Sequence, residues 1–545
     1  MVSLLRSGSF MDAVPIQHRE RVVTAGFLRR TLGLPKALTR RNFNPEFQAA
    51  IRAEILGRRD RELGNLVGLP PALQGHAVPK SLLYDRVEQF YKIQGALIEL
   101  GNRLGDKDFT PYPREAMRPL TAGTRETDNS NPIFSSPQEF LDAFDRGLAI
   151  IRGRTGGTGY ASIGLLDVGG GAGMRAAKEL PKYNVWAQRH GVSAERNRNL
   201  YPIEGTEVNG EPRTFKGMLI ETLAEYALSQ EVALPISEMV IPFSAGQYAK
   251  HIRTKTDASR WKEDMLLWCQ QEAQRYDLND EALTALPEFY PAGHGDNPRL
   301  AHTYGIMGAM REVGVKTVIS TNGDEFIWVL LLPAFLGASQ QRGTLDQMTM
   351  LAVPNANGQF GGYFGNGLQV ETPCIPDSYV SNQRPPATLN TTFLWGNLER
   401  VIAGFDQLAA QPPQVSIVSK PTVVRGRFIH MVGLETWMGY ELTAANRCGG
   451  GTLVVDEITR NLFDGLKGPQ QAADHAPQGF LHGLGYADYY TLVAKKISGW
   501  RETLLGKHGA QARFHLAERM MRYNFDPILV AMDEAGNLPD EFSRG

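Results

Sequence analysis

A run of glycines with two cations close behind it is the first feature of this sequence that could do chemistry. Gly169-Gly170-Gly171-Ala172-Gly173 follows a short apolar stretch at 163–168, with Met174 and Arg175 next and Lys182 directly after Pro181. Consecutive glycines let backbone N–H groups approach a phosphate closely. The guanidinium of Arg175 can fork onto phosphate oxygens, and Lys182 adds a second positive charge within reach of the loop. The same residues would also make an ordinary tight strand-to-helix turn. Met174 stands where a G-x-G-x-x-G fingerprint starting at Gly169 needs its last glycine, and no Gly-Lys-Ser/Thr follows, so neither a dinucleotide fingerprint nor a P-loop is present. A carboxylate, Asp324, follows a second apolar stretch at 316–320. At the end of a buried strand beside a phosphate loop, it could hold Mg²⁺ through oxygen ligands, although a lone Asp after a strand also commonly shapes a turn. Glu325 next to it could be a second acidic ligand, although a solvated side chain is the simpler reading.

The elements that must position these groups alternate from about residue 160 onward. Strands are expected at 163–168, 239–243 and 316–320, and helices at 215–228 and 298–313. That alternation predicts an α/β fold, a mostly parallel sheet covered by helices, with ligands bound at the carboxyl ends of the strands. The glycine run and Asp324 both fall at such ends. Before residue 150 the pattern is helical, at 43–66 and 81–104, with a Pro-bearing loop expected at 106–132. Ser136-Pro137-Gln138-Glu139 looks like a capping box opening a helix through residue 151. After a soft linker at 468–478 helices are expected again at 479–506 and 511–523. The division expected is a helical region at 1–154, a catalytic domain at 155–440 and a mostly helical region at 441–545.

Composition narrows the partners. At 545 residues the chain is too long for one ordinary core. Lys and Arg number 57 against 58 Asp and Glu, so no global basic excess points to nucleic acid or to an anionic membrane, and cations for an anionic ligand must be local. Cys269, Cys374 and Cys448 are too few and too scattered for a zinc site or a disulfide framework, which fits a reducing cytoplasm. The first residues lack the apolar run of a secretory signal. The longest apolar run, 326–336, contains Pro333 and is too short to span a bilayer.

Several stretches, in order, resemble the UDP-sugar pyrophosphorylase family, which includes eukaryotic-type UDP-glucose and UDP-N-acetylhexosamine pyrophosphorylases. Gly170-Gly171-Ala172-Gly173-Met174-Arg175 with Pro181-Lys182 is similar to its G-G-x-G-T-R-like loop and Pro-Lys, with Met174 in place of the threonine. Tyr290-Pro291-Ala292-Gly293-His294-Gly295-Asp296 resembles Y-P-P-G-H-G-D, the most specific match in the chain. Ser320-Thr321-Asn322-Gly323-Asp324 resembles S-N-x-D-N. Gly361-Gly362 and Glu371 resemble a G-G and L-x-E stretch. Asn390-Thr391-Thr392-Phe393-Leu394-Trp395 resembles N-T-N-N-x-W, and Gly433-Leu434-Glu435-Thr436-Trp437-Met438-Gly439 resembles Q-L-E-T-A-x-G.

The resemblance implies a Rossmann-like, GT-A-like nucleotidyltransferase sheet and a reaction that joins a sugar 1-phosphate to a nucleoside triphosphate, UTP by analogy, with release of pyrophosphate. It implies nucleotide contacts from Gly170, Gly171, Ala172, Gly173, Ser244, Gly293, His294 and Gly295. Sugar contacts would come from Asn322, Gly362, Glu371, Asn390 and Glu435, and catalytic cations from Arg175, Lys182, Lys420 and Lys467, with Mg²⁺ on Asp324. Trp395 is expected in the core rather than at a ligand. The substitutions Met174, Phe393 and Trp437 leave two other outcomes open. One is a transferase for an unusual phosphorylated sugar, cyclitol or secondary-metabolite precursor; the other is a member that binds nucleotide sugars without making them. An assembly role carried by the helical ends is a third.

Overall fold

The computed structural model describes residues 133–153, 160–168, 202–208, 211–228, 234–240, 265–269, 272–277, 285–291, 293–303, 305–322, 326–355, 362–371, 385–408, 416–424, 427–458, 486–523 and 527–536. The helices expected at 43–66 and 81–104 and the loop at 106–132 lie outside these residues.

A seven-stranded sheet organises the chain. Its strands are β1 (Ile163–Val168), β4 (Ile236–Val240), β5 (Met265–Cys269), β8 (Thr317–Asn322), β9 (Met348–Pro354), β12 (Thr388–Asn397) and β15 (Leu453–Glu457), in the order β15-β9-β12-β8-β1-β4-β5. β1 pairs in parallel with both β4 and β8, β4 with β5, and β9 with β15, whereas β12 runs antiparallel to β8 and β9. The expected mostly parallel sheet is therefore present, with one reversed strand. Side chains alternate along each strand into two separate cores. Leu165, Ile319, Leu351, Val353 and Trp395 enter one core; Leu166, Val318, Met350, Ala352 and Leu394 enter the other. Burial on both faces is why these strands read as continuous apolar runs.

The first face is covered by α1 (Pro137–Arg152), α2 (Phe215–Leu228), α5 (Phe326–Gln341), α8 (Tyr486–Leu504), α9 (Gly509–Arg522) and α10 (Pro527–Glu534). The second carries α3 (Asp296–Thr303), α4 (Ile306–Glu312), α6 (Leu398–Leu408) and α7 (Met438–Cys448). α1 starts as its sequence predicts: the Ser136 hydroxyl accepts from Glu139 N–H at 3.1 Å, with Pro137 in the first turn. Glu139 reaches back to Ser135 N rather than to Ser136. α1 crosses α5 closely because Gly147 lies over Pro333 and Gly337 over Ala143; a Cβ on either glycine would sit within 1.6 Å and 1.8 Å, respectively, of a backbone oxygen. The apolar run at 326–336 is thus a buried core helix, and no described helix is long and apolar enough to cross a membrane.

Several expectations need adjusting. The helix expected at 298–313 is two helices, because Gly305 takes a left-handed conformation (φ 75°) and donates to His302 O at 2.9 Å. The strand expected at 239–243 is β4, which begins at Ile236; its buried Ser237 disguised it as a loop. The strand β15 was not anticipated. Neither was a second, antiparallel sheet, ordered β13 (Ser416–Val424), β14 (Arg427–Glu435), β6 (Glu272–Asp277) and β7 (Ala285–Pro291). Two hairpins complete the fold, β2 (Pro202–Val208) with β3 (Glu211–Thr214), and β10 (Tyr363–Gly365) with β11 (Leu368–Val370).

A fully buried ion pair joins the first turn of α2 to the last turn of β1. Lys216 contacts Asp167, and both side chains are excluded from solvent. The other Asp167 oxygen accepts from Val168 N–H at 2.7 Å. Removing one partner leaves an uncompensated charge in the interior, which costs more than the pair itself contributes. Lys216→Met is expected to lower the unfolding free energy by about 3–5 kcal/mol. The double variant with Asp167→Asn should recover most of the loss. Denaturant unfolding of the three proteins measures both effects, and equal stability of single and double variants would contradict the account.

Candidate functional site

The strands that lead into the glycine run and into Asp324 end side by side. Val168 is the register partner of Asn322, and Asp167 of Thr321. On its other side β1 pairs with β4, reached by a connection in the opposite direction, so the order of the sheet switches at β1 and β8. A crevice at the carboxyl edge of such a switch point is where open α/β sheets hold ligands. Gly170, Gly171, Ala172, Gly173, Arg175, Lys182, Ser244, Asp324 and Lys467 lie outside the described residues. Asn322 is the last residue of β8.

The antiparallel sheet delivers two of the expected turns to this edge. β7 ends at Pro291 and β14 at Glu435, and the intervening β6 makes them run in the same direction. Gly293-His294-Gly295 therefore meets Thr436-Trp437. Gly295 N–H donates to Thr436 O at 3.0 Å. A Cβ on Gly293, whose φ is 100°, would lie 2.3 Å from Thr436 O, and one on Gly295 would lie 2.4 Å from Trp437 N. Only glycine permits this backbone-on-backbone contact. Met438 N–H donates to His294 Nδ1 at 2.9 Å, and the His294 ring meets Trp437 edge to face at 5.3 Å. Burial pushes His294 down to about 4, with nearby Glu435 opposing the shift. The ring is accordingly neutral at pH 7, with Nδ1 as acceptor.

The helices that follow these turns are locked to each other and to the main sheet. Arg299 on α3 holds Glu441 on α7 through Nε at 3.0 Å and Nη2 at 2.8 Å. Asn297, fully buried, donates from Nδ2 to Asp167 O at 3.1 Å. Met438 Sδ lies 2.7 Å from the Ser320 hydroxyl of β8.

Three of the sugar-side expectations, Gly362, Glu371 and Asn390, come together next to the end of the same segment, at Gly439. β12 runs backward, so its amino end lies at the carboxyl edge of its neighbours, and Asn390 pairs with Ala352 there. Asn390 N–H donates to Gly362 O at 2.7 Å, and its Nδ2 lies 3.4 Å from Glu371 Oε1. Gln369, which the sequence did not single out, donates from Nε2 to the same oxygen at 2.6 Å. Gln369 also packs on Gly439, where a Cβ would fall 1.6 Å from its Oε1. Gly362, Glu371 and Asn390 thus form one group, and Gln369 joins it to Gly439, four residues beyond Glu435. Lys420 sits in β13 opposite Met431, four residues from the Ser416–Glu435 end of that ladder.

Two of the substituted positions resolve differently. Phe393 is fully buried among Trp328, Phe335 and Trp395, so it belongs to the core and does not face Glu371. Trp395 is buried as expected, stacked on Phe335 with Nε1 donating to Ser339 at 3.2 Å. Trp437 does reach the site, against His294. The polar residues 369 and 371, on and just after one short strand, were the available signal for Gln369, but a Gln between Leu368 and Val370 reads more simply as an exposed strand residue.

Because His294 resists protonation when folded, the unfolded chain binds more protons between its usual value near 6.5 and about 4. Its contribution to stability is complete above pH 6.5 and is lost as the pH falls through that window, by about 3 kcal/mol in total. His294→Asn keeps an acceptor for Met438 N–H without the titration, so its stability should vary less from pH 6.5 to 4 than the wild type's. Parallel curves for the two proteins would show that His294 does not titrate this way.

No protein-family model matches the chain, and no curated protein sequence does. Among solved structures it is similar to the uridine diphosphate N-acetylglucosamine pyrophosphorylase of Trypanosoma brucei, at 12% identity and TM-score 0.47, over 75% of this chain and 80% of that one. It is also similar to the UDP-glucose pyrophosphorylase of Leishmania major, at 14% identity and TM-score 0.44, over 69% and 74% of the two chains, and to a UDP-glucose phosphorylase of Trypanosoma brucei, at 16% identity and TM-score 0.44, over 70% and 74%.

Proposed function

We propose that this protein is a nucleotidyltransferase that joins a sugar 1-phosphate to a nucleoside triphosphate, UTP, and releases pyrophosphate. The observation that carries the proposal is the segment Glu435–Gly439. Thr436, Trp437 and Met438 meet the Gly293-His294-Gly295 turn, Gly439 meets Gln369 with Glu371 and Asn390 beyond it, and Met438 also rests on Ser320 of β8. A flat glycine turn beside a neutral imidazole suits a planar base. A carboxylate with two amides suits hydroxyl groups. The strand ends between them lead to the residues suited to phosphates.

In this proposal a sugar 1-phosphate oxygen attacks the α-phosphorus in line, and the bond to pyrophosphate breaks. The attacking oxygen is already an anion, so no general base is required. The work is positioning and neutralisation of charge. Gly170, Gly171, Ala172 and Gly173 would offer amides to the phosphates, together with Ser244. Arg175, Lys182, Lys420 and Lys467 would supply cations. Gly293, His294 and Gly295 would carry the base, and Asn322, Gly362, Glu371, Asn390 and Glu435 the sugar. Among the described residues no cluster of three or more His, Cys, Asp or Glu could hold a metal ion. Mg²⁺ needs no such cluster, since it commonly takes one or two carboxylates and completes its shell with substrate phosphates and water. Asp324, two residues beyond the end of β8, would be that carboxylate. Magnesium, when bound, supplies charge neutralisation to the phosphate oxygens. Cysteine usage leads us to place the reaction in the cytoplasm.

Incubation with Mg²⁺, a panel of nucleoside triphosphates and a panel of sugar 1-phosphates should release pyrophosphate for at least one pair; no release from any pair overturns the proposal. Lys182→Ala should keep the fold, checked by circular dichroism, and lower the turnover number by about 10²–10³-fold. Near-normal turnover removes Lys182 from the site.

A further inference from the structure

Two amide–glycine pairs converge on one carboxylate oxygen. Gln369 Nε2 donates to Glu371 Oε1 at 2.6 Å, and its side chain fills the space that a Cβ on Gly439 would occupy. Asn390 Nδ2 approaches the same oxygen at 3.4 Å, and a Cβ on Gly362 would come within 2.1 Å of that nitrogen. Each amide therefore reaches Glu371 only because a glycine stands behind it.

Gln369 is the more costly of the two to keep. It is fully buried, and its Oε1 has no hydrogen-bond partner among the described residues. Burying half an amide unsatisfied is unfavourable, and an apolar side chain of the same size would fill the place without that cost. Backbone structure does not require the amide either. The hairpin turn is made by Asn366 and Gly367, both at positive φ, and Gln369 N–H is satisfied by the Thr443 hydroxyl at 3.1 Å. What the amide does is fix the Glu371 carboxylate. It does so with a neutral donor.

We infer that Gln369 is a positioning residue that aims the Glu371 carboxylate at a sugar hydroxyl and thereby sets which sugar 1-phosphate is accepted. This rests on the nucleotidyltransferase proposed above. A site built to pair a hydroxyl rejects a sugar whose hydroxyl points elsewhere, because buried polar groups are then left unmatched. Rotation of Glu371 away from its fixed direction weakens that rejection. Nucleotide binding at the Gly293-His294-Gly295 turn, which meets Thr436 to Met438 and not Gln369, is expected to be unaffected.

The test uses the full chain and steady-state kinetics with glucose 1-phosphate, galactose 1-phosphate and N-acetylglucosamine 1-phosphate. Gln369→Met removes the donor while keeping the volume. KM for the preferred sugar 1-phosphate is expected to rise about tenfold, the preference between the glucose and galactose epimers to shrink, and KM for the nucleotide and kcat to stay within about twofold. Gln369→Asn keeps the amide but withdraws it, and serves where the methionine variant does not fold. Gly439→Ala displaces the unaltered Gln369 side chain and should reproduce the same split. Equal changes in both KM values, or unchanged sugar selectivity in a folded variant, overturn the role of Gln369 alone. A wild-type protein that turns over no sugar phosphate, and binds none by calorimetry, overturns both proposals together.

Discussion

Asp167 carries three obligations at one residue of β1. One side-chain oxygen faces the buried ammonium of Lys216, the other takes the amide of Val168, and its carbonyl takes the amide of Asn297. Desolvating a carboxylate is costly, and the Lys216 ammonium with the Val168 amide offsets that cost. The arrangement fixes the end of β1. It also ties α2 on one side of the sheet and α3 on the other to that strand end. The carboxyl edge of the sheet therefore inherits its geometry from a group that never meets solvent.

The second sheet serves the first. Its strands β7 and β14 end in the turns that dock on each other and feed α3 and α7 onto the main sheet. At Gly293 and Gly295 the two turns meet main chain to main chain, which requires glycine, and the His294 side chain adds a contact to Met438 N–H and Trp437. The ion pair of Arg299 with Glu441 and the contact of Met438 with Ser320 then hold the docked unit against β8.

Much of this was legible in the sequence where pattern and local chemistry agree. The strand Ile163–Val168, the helix Phe215–Leu228 and the cap at Ser136 follow from apolar runs, periodicity and a Ser-Pro start. Of the site, Gly362, Glu371 and Asn390 were named from the resemblance, and the structure brings them together. Features set by tertiary context were not legible. Gly305 breaks a helix whose apolar period continues through it, and Ser237 is buried because strands flank it on both sides. Gln369 became meaningful only once Glu371, Asn390 and Gly439 surrounded it, and Phe393 could be assigned to the core only once the parity of β12 was known.

That parity has a further effect on depth. Between Asn390 and Leu394, β12 holds two more residues than β9 opposite, with Thr392 at a φ of 66°. The irregularity is pinned where the Thr391 hydroxyl donates to Leu351 O and accepts from Phe393 N–H. An uninterrupted ladder from the Leu394–Met350 pair would have set Asn390 opposite Pro354; the extra residues set it opposite Ala352 instead. Two residues of strand are about 7 Å. The amide is therefore countersunk below the rim of the sheet, level with the glycine it packs against, and the length of one bulge rather than the identity of any side chain decides how deep the floor of the crevice lies.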